Sequence, residues 1–161
     1  YIADSRMLIW DNFYANDYCP RRLFIGPWRR PAEASNILLN PTGLIETDKL
    51  LLEVMLIGDD VDKWRDLLGQ HLPPAFFTVA YYFDAPYGFA PKFAPPPVEV
   101  ALAAVDQLLW QWKSRLQREW YPVLMGLKQD LLIVDQQMPD ERIAKTQSAA
   151  LSGALLTPPD D

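Results

Sequence analysis

The chain has 161 residues, of which half are hydrophobic and 22% are charged, a composition that excludes disorder and fits one globular domain or parts of two. The formal net charge of −6 argues against a nucleic-acid partner, because phosphate binding needs a basic surface. The single cysteine, Cys19, excludes an internal disulfide, and the single histidine, His71, argues against a histidine-based metal site or a catalytic triad.

Short apolar runs that end in polar loops make up the first part of the chain. Three of them predict buried strands, at residues 6–10 (RMLIW), 22–26 (RLFIG) and 36–39 (NILL). A helix is predicted over residues 46–57, with acidic residues in its first turn. This α/β order fits two consecutive units of a (β/α)8 TIM barrel, a fold in which the loops after the strands carry the active site. Here those loops are residues 11–20 and 40–42.

The remaining two thirds of the chain are predicted to be mostly helical. Residues 59–68 predict a short helix with Asp59 or Asp60 as its cap. Residues 72–97 are rich in proline, Phe and Tyr and predict an irregular connector that still packs through its aromatic rings. Apolar stripes then predict a helix from Val98 to about Leu116, a second helix over 123–134 that Pro122 separates from the first, and a third over 140–156. We therefore divide the chain into a barrel part (1–70), a connector (71–97) and a helical part (98–161).

The loop after the first strand combines groups that suit sugar binding. Trp10 to Tyr18 (WDNFYANDY) offers carboxylates and amides that can bind adjacent hydroxyls, beside aromatic rings that can pack on the apolar face of a sugar. Asp17 should matter most, because a hydrogen bond to a charged carboxylate is worth about twice a neutral one. The alternative is a turn rich in Asn and Asp that only satisfies its own backbone.

The order and spacing of WDNxxANDY, RRLFIGPW and LLNP resemble the end of the catalytic barrel in β-N-acetylglucosaminidases of the O-GlcNAcase type, glycoside hydrolase family 84. In that family these segments are the seventh and eighth strands with their loops. The resemblance covers residues 7–52 well. It is weaker over 76–91, which is similar to the entry into the family's helical stalk, and weaker still over 108–127, which has the character of a stalk helix.

By this resemblance, five residues are expected to bind the substrate. Asn12 would line the pocket near the acetamido group, Asp17 would hold the hydroxyls at positions 4 and 6, and Asn40 would hold a further hydroxyl. Trp10 and Tyr18 would form aromatic walls. The sequence departs from the animal enzymes at residues 13–14 and 19–20, which puts the shape of the rim in doubt. Residues 11 and 16 are interpreted as support for the loop.

The resemblance also implies the reaction, which needs no cofactor. Family members are retaining enzymes in which the substrate's own acetamido oxygen attacks the anomeric carbon and forms an oxazoline, an exception to the two-carboxylate scheme. The adjacent Asp-Asp pair that assists lies after an earlier strand. We therefore expect this chain to be a fragment that starts after the natural N-terminus. It would supply substrate-binding residues, but alone it would bind sugar very weakly or not at all and be inactive. Asp59-Asp60 follows a helix and is interpreted as a helix cap.

Several alternatives stay open on the sequence alone. The chain could be a non-catalytic interaction module built on its helical part, or part of another hexosaminidase or hyaluronidase-type barrel. The family's stalk implies a homodimer through the helical part. No signal peptide or span of about 18 apolar residues is present, which together with one cysteine leads us to expect a cytoplasmic protein without a membrane partner. The basic cluster Arg21, Arg22, Arg29 and Arg30 is interpreted as a solvated rim.

Overall fold

The computed structural model describes residues 8–17, 21–29, 36–86 and 88–135, which form a mixed α/β and mostly helical structure. Two strands precede six helices along these ranges. They are β1 (Leu8–Asp11), β2 (Asn36–Leu39), α1 (Ile45–Ile57), α2 (Val61–Leu68), α3 (Ala75–Thr78), α4 (Tyr81–Asp84), α5 (Val98–Trp110) and α6 (Arg115–Val134). The expected α/β character of the first part and the helical character of the rest are both present, with a small sheet of two strands among the described residues.

The two strands pair in parallel, with Trp10 opposite Leu38 and Asp11 opposite Leu39. Their side chains alternate between two unlike faces. Ile37 and Leu39 pack against the hydrophobic core, whereas Trp10 and Leu38 on the other face are exposed. Within the part of the chain that the structure describes, the sheet is therefore covered on one face only. Strands were predicted at both places, and both predictions are confirmed within the described residues.

The prediction of a third strand over residues 22–26 is wrong. This segment has no regular secondary structure. Its apolar residues Leu23, Phe24 and Ile25 are fully buried, and Ile25 N donates to the carbonyl oxygen of Phe83 at 2.7 Å. Side chains bind two of its carbonyl oxygens: Trp64 Nε1 donates to that of Ile25 at 2.7 Å, and the Tyr14 hydroxyl donates to that of Gly26 at 3.0 Å. The apolar run thus indicated burial correctly, but burial is common to strands and to irregular segments of a core.

Helices α1 and α2 begin as the sequence predicted. Asp60 caps α2, accepting hydrogen bonds from the backbone N–H groups of Asp62 and Lys63, so that the interpretation of Asp59-Asp60 as a cap is confirmed. Leu44 precedes α1 and cannot cap it. A carboxylate from a distant helix, that of Glu119 in α6, takes this place, which the sequence did not suggest.

The connector contains more regular structure than predicted. Two single turns of helix, α3 and α4, lie within it, and both Phe76 and Phe83 are fully buried. Their rings lie 5.4 Å apart between centroids. The expected packing through aromatic rings is therefore confirmed, while the expected absence of regular structure is wrong for these two turns.

The helical part forms a hairpin whose turn differs from the prediction. Helix α5 ends at Trp110, and Ser114 caps α6 by accepting a hydrogen bond from Gln117 N at 2.9 Å. Pro122 neither interrupts nor begins a helix but lies inside α6, which corrects the prediction. The helix tolerates it because the carbonyl four residues earlier, at Arg118, belongs to an exposed residue and can bind water. The predicted helix over 140–156 lies outside the described residues.

Trp120 of α6 lies at the centre of the hydrophobic core. Its ring stacks on Phe83 at 5.8 Å and meets Phe76 at 5.8 Å and Trp112 at 5.5 Å between centroids. Its indole N–H donates to the Thr47 hydroxyl of α1 at 2.8 Å. One cluster thus joins the first part of the chain to the helical hairpin. Within the described ranges, no helix has the length and apolar character needed to cross a bilayer.

Candidate functional site

The ends of the two parallel strands bring together two of the predicted substrate-binding residues. Asn12 and Asn40 are each the first residue after their strand, and the strand register continues between them through a bond from Asn40 N to the carbonyl oxygen of Asp11 at 2.9 Å. The Asn40 side-chain amide donates to Asn12 Oδ1 at 3.2 Å. Two residues that are 28 positions apart in the sequence therefore form one polar pair.

Trp10 completes this group on the exposed face of the sheet. Its indole N–H donates to Asn12 Oδ1 at 2.6 Å, so that one amide oxygen accepts from both Trp10 and Asn40. The Trp10 side chain is nevertheless 60% exposed. No described residue binds the Asn12 amide N–H groups or the Asn40 amide oxygen. The group thus offers hydrogen-bond donors and an acceptor to a ligand, next to an open aromatic surface.

A buried carboxylate fixes the start of the loop that follows β1. Asp11 Oδ1 accepts from the backbone N–H of Phe13 at 2.7 Å, and Oδ2 accepts from Trp28 Nε1 at 3.0 Å. Tyr14 is fully buried, and burial raises the pKa of its hydroxyl, which stays protonated as the donor to Gly26. These contacts confirm that Asp11 supports the loop, and they leave Asn12 between two anchored neighbours.

The other predicted residues of this loop are described only in part. Asp17 follows Asn12 by five positions and is exposed, within the same loop. Tyr18, the second predicted aromatic wall, lies outside the described residues. The structure thus brings Trp10, Asn12 and Asn40 into direct contact, and places Asp17 on the loop that begins at Asn12.

The loop after β2 is held by a residue that the sequence analysis missed. Asp48, in the first turn of α1, accepts hydrogen bonds from Thr42 N at 2.9 Å, from the Thr42 hydroxyl at 2.7 Å and from Gly43 N at 3.1 Å. Gly43 has a φ of 78°, a conformation that favours glycine. The sequence does contain a signal for this role, namely an acidic residue in the first turn of a helix that follows Thr-Gly. Asp48 therefore fixes the chain that leaves Asn40.

The interpretation of the basic cluster as a solvated rim is wrong for Arg21 and Arg29. Both side chains are only 17% exposed and pair with buried carboxylates. Arg29 Nη2 lies 3.1 Å from Oδ1 of Asp84, and Arg21 Nη2 lies 2.9 Å from Oδ1 of Asp130 in α6. The described arginines thus join the loops to the rest of the fold. The partner carboxylates lie far from these arginines in the sequence, at Asp84 and Asp130, so no local pattern indicated the pairing.

No group of three or more His, Cys, Asp or Glu side chains that could hold a metal ion is found among residues 8–17, 21–29, 36–86 and 88–135. Comparison with known proteins yields no matching family model, no matching curated protein and no matching solved structure.

Proposed function

We propose that this chain supplies one side of the sugar pocket of a retaining β-N-acetylglucosaminidase of the O-GlcNAcase type. The observation that carries the proposal is the contact between Asn12 and Asn40 at the ends of two parallel strands, beside the exposed ring of Trp10. In α/β folds, ligands bind outside the carboxyl ends of parallel strands. Amide groups with free hydrogen-bonding capacity beside an aromatic face suit a neutral sugar.

The exposed face of the sheet supports placing the two strands in a (β/α)8 barrel. Leu8, Trp10 and Leu38 are large apolar side chains that alternate along this face and are exposed. Parallel sheets are normally covered on both faces. In a closed barrel this face would be the filled interior, with β1 and β2 as the seventh and eighth strands, and the polar ends of the strands would open into the active site.

A second apolar surface, on the outer side of α1, agrees with this placement. Ile45, Leu52 and Leu56 recur along the helix and are exposed, Leu56 to 89%. In a barrel, each outer helix packs against helices on both sides. The Ile45–Leu52–Leu56 stripe would meet the helix of a neighbouring barrel unit, as the open sheet face would meet the other strands.

In the proposed reaction, the residues of this chain bind and orient the sugar. Asn12 would direct its amide toward the acetamido group, while Asp17 and Asn40 would hold ring hydroxyls and Trp10 would pack on the apolar face of the ring. The acetamido oxygen of the substrate would then attack the anomeric carbon and form the oxazoline while the glycosidic bond breaks. In an Asp-Asp pair after an earlier barrel strand, one carboxylate would orient the acetamide N–H. The other would protonate the departing Ser or Thr oxygen and then, as a base, activate the water that opens the oxazoline. No cofactor is needed for this chemistry. Terminal β-linked N-acetylglucosamine on Ser or Thr of glycoproteins is the proposed substrate.

The test is hydrolysis of an aryl β-N-acetylglucosaminide by the full-length protein, with Asp17→Ala as the variant. Loss of a charged hydrogen-bonding group should lower kcat/KM by about 10- to 150-fold, the equivalent of roughly 1.5–3 kcal/mol. Asp62→Ala, which removes an exposed carboxylate on α2, serves as the control and should leave activity unchanged. Full activity of the Asp17 variant, or no Asp-Asp pair after an upstream strand, would contradict the proposal.

Related hexosaminidases are separated by the substrate. An aryl β-N-acetylgalactosaminide and hyaluronan, assayed beside the glucosaminide, would reveal a broader hexosaminidase or a hyaluronidase-type enzyme. Preference for the glucosaminide by about 10-fold or more is the expected outcome, since a misplaced hydroxyl leaves buried polar groups unpaired.

An open groove beside α5 favours a second function, that of an interaction module. The groove has a volume of about 320 Å³ and is lined by small apolar side chains of α3 and α5 with Glu99 and Gln107 at its edge. At the end of α5, the exposed ring of Trp110 meets the exposed ring of Tyr121 of α6 at 6.1 Å between centroids. Binding of a second copy here would give the homodimer that the resemblance implied. Analytical ultracentrifugation of Trp110→Gln beside wild type tests this. The variant should dissociate at concentrations at which wild type is dimeric.

A further inference from the structure

An ion pair links the loop of the candidate sugar site to the helical hairpin. Arg21 Nη2 donates to Oδ1 of Asp130 and to the carbonyl oxygen of Gly126, both at 2.9 Å, and lies 3.5 Å from Gln129 Oε1. These three acceptors occupy successive positions along one side of α6. The guanidinium therefore binds the helix at several points, which restricts both its position and its orientation.

The helix surface at this point accommodates the arginine closely. A Cβ atom at Gly126 would lie 3.4 Å from Nε and Nη2 of Arg21, so that a side chain larger than alanine would displace the guanidinium. Glycine inside a helix costs roughly 0.5–1 kcal/mol relative to alanine. The approach of Arg21 thus limits position 126 to a small residue.

The pair is a poor source of stability. The Asp130 side chain is 2% exposed, and both its Oδ2 and the Arg21 Nε are buried without a hydrogen-bond partner among the described residues. Burial raises the pKa of Asp130 to about 6, although Arg21 opposes the shift. A buried pair with unsatisfied atoms is often no more stabilising than apolar side chains of the same size, whereas it does specify one arrangement. The role of this ion pair is therefore to fix Arg21 against α6 and not to stabilise the fold.

We propose that Asp130 is a positioning residue for the candidate sugar site: by binding Arg21 it fixes the far end of the loop that carries Asn12 and Asp17. The effect on sugar binding rests on the proposed function, whereas the anchoring of the loop does not. Asp11 anchors the start of the loop and Arg21 its end. Asp17 precedes Arg21 by four residues, a length of chain that spans at most about 14 Å. Anchoring Arg21 thus limits the positions open to the Asp17 carboxylate.

Hydrogen exchange on the purified chain tests the geometric part. In Asp130→Asn, the backbone N–H groups of residues 12–17 should exchange several-fold faster than in wild type. Lys128→Gln is the matched control, because Lys128 lies on the same helix but pairs with Asp106 of α5 at 2.6 Å. It should leave the loop unchanged. Arg21→Gln removes the other partner and should reproduce the Asp130 result if Asp130→Asn fails to fold. Unchanged exchange in the loop would overturn the proposal.

Steady-state kinetics of the full-length protein on the aryl β-N-acetylglucosaminide test the positioning part. A carboxylate that holds the sugar equally in the ground state and the transition state affects KM and leaves kcat nearly unchanged. Asp130→Asn should therefore raise KM by about three- to tenfold at pH 8, with kcat within about twofold. A fall in kcat with constant KM, or no change in either, would contradict a positioning role.

The pH dependence separates positioning from general destabilisation. Among the described residues, Arg21 is the one charged group that shifts the pKa of Asp130, while Lys128 on the same helix pairs with Asp106. Below pH 6 wild-type Asp130 becomes protonated and resembles asparagine. The ratio of the variant and wild-type KM values should hence approach one at pH 5, and a constant ratio would overturn the proposal. If the wild type hydrolyses no substrate, the proposed function fails, and the hydrogen-exchange result alone then decides whether Asp130 anchors the loop.

Discussion

Replacement of Glu119 by glutamine should destabilise the protein through the start of α1. The Glu119 carboxylate accepts from Glu46 N and Thr47 N, both at 2.9 Å, and from the Thr47 hydroxyl at 2.8 Å. Glutamine retains one oxygen and turns an amide N–H toward a donor, so that at least one helix N–H loses its acceptor. Loss of a charge-assisted bond costs about 1.5–3 kcal/mol, and loss of the negative charge at the helix N-terminus adds about 0.3–1 kcal/mol.

We therefore expect Glu119→Gln to lower the free energy of unfolding by about 2–4 kcal/mol, measured by urea denaturation at pH 7 with an unchanged m value. Glu53→Gln is the control, because Glu53 is an exposed residue of α1 itself, and its effect should stay within about 0.5 kcal/mol. A loss below about 0.5 kcal/mol for Glu119→Gln would refute the reasoning, since it would mean that water replaces the carboxylate without cost.

Two further predictions concern carboxyl groups of known environment. Because burial raises the folded-state pKa of Asp130 to about 6, the native protein binds this proton more tightly than the unfolded chain, and the stabilisation is present below pH 4 and lost as the pH rises through 6. The free energy of unfolding of wild type relative to Asp130→Asn should fall by roughly 1–3 kcal/mol between pH 4 and pH 7, and a constant difference would contradict the assignment. Asp60→Ala should lower the thermal midpoint by removing the cap of α2, while Asp59→Ala should not; equal effects of the two variants would mean that the cap is unimportant.

The elements that the sequence predicted well are those whose pattern depends on local spacing. The stripe that includes Leu102, Val105 and Leu109 follows helical periodicity, and α5 starts at Val98 as expected. The start of α2 was also predictable, because an aspartate before a helical pattern is a local signal. The strands β1 and β2 were found from short apolar runs that end in polar residues.

The elements that the sequence did not predict depend on contacts between distant segments. Residues 22–26 are apolar like a strand, yet Trp64 and Tyr14 bind their backbone carbonyls in place of a neighbouring strand. Glu119 caps a helix more than 70 positions earlier in the sequence, at Glu46 and Thr47, a pairing with no local signal. Proline has no N–H group for the carbonyl four residues earlier, which is why Pro122 predicts a helix boundary. Whether a helix tolerates it depends on whether water can bind that carbonyl, which is a property of the folded surface.

The same distinction applies to the candidate site. The residue types after β1 drew attention to the segment from Trp10 to Tyr18 and to Asp17 within it, and the resemblance supplied the roles of Trp10, Asn12 and Asn40. That Asn12 and Asn40 share a hydrogen bond follows from the parallel register of the strands, which no local pattern specifies. The roles of Asp48 and Arg21 were missed because each depends on the segment that the side chain contacts in the folded chain, which residue types alone do not indicate.

The most direct test of the central claim is a double-mutant cycle on Asn12 and Asn40 in the full-length protein. The kcat/KM for the aryl β-N-acetylglucosaminide is measured for Asn12→Ala, Asn40→Ala and the double variant. Each single change should reduce kcat/KM by about 2- to 10-fold or more, and the double variant should lose less than the product of the two, because the residues share a hydrogen bond and one ligand. Wild-type activity in both single variants would show that the paired strand ends do not form the sugar site.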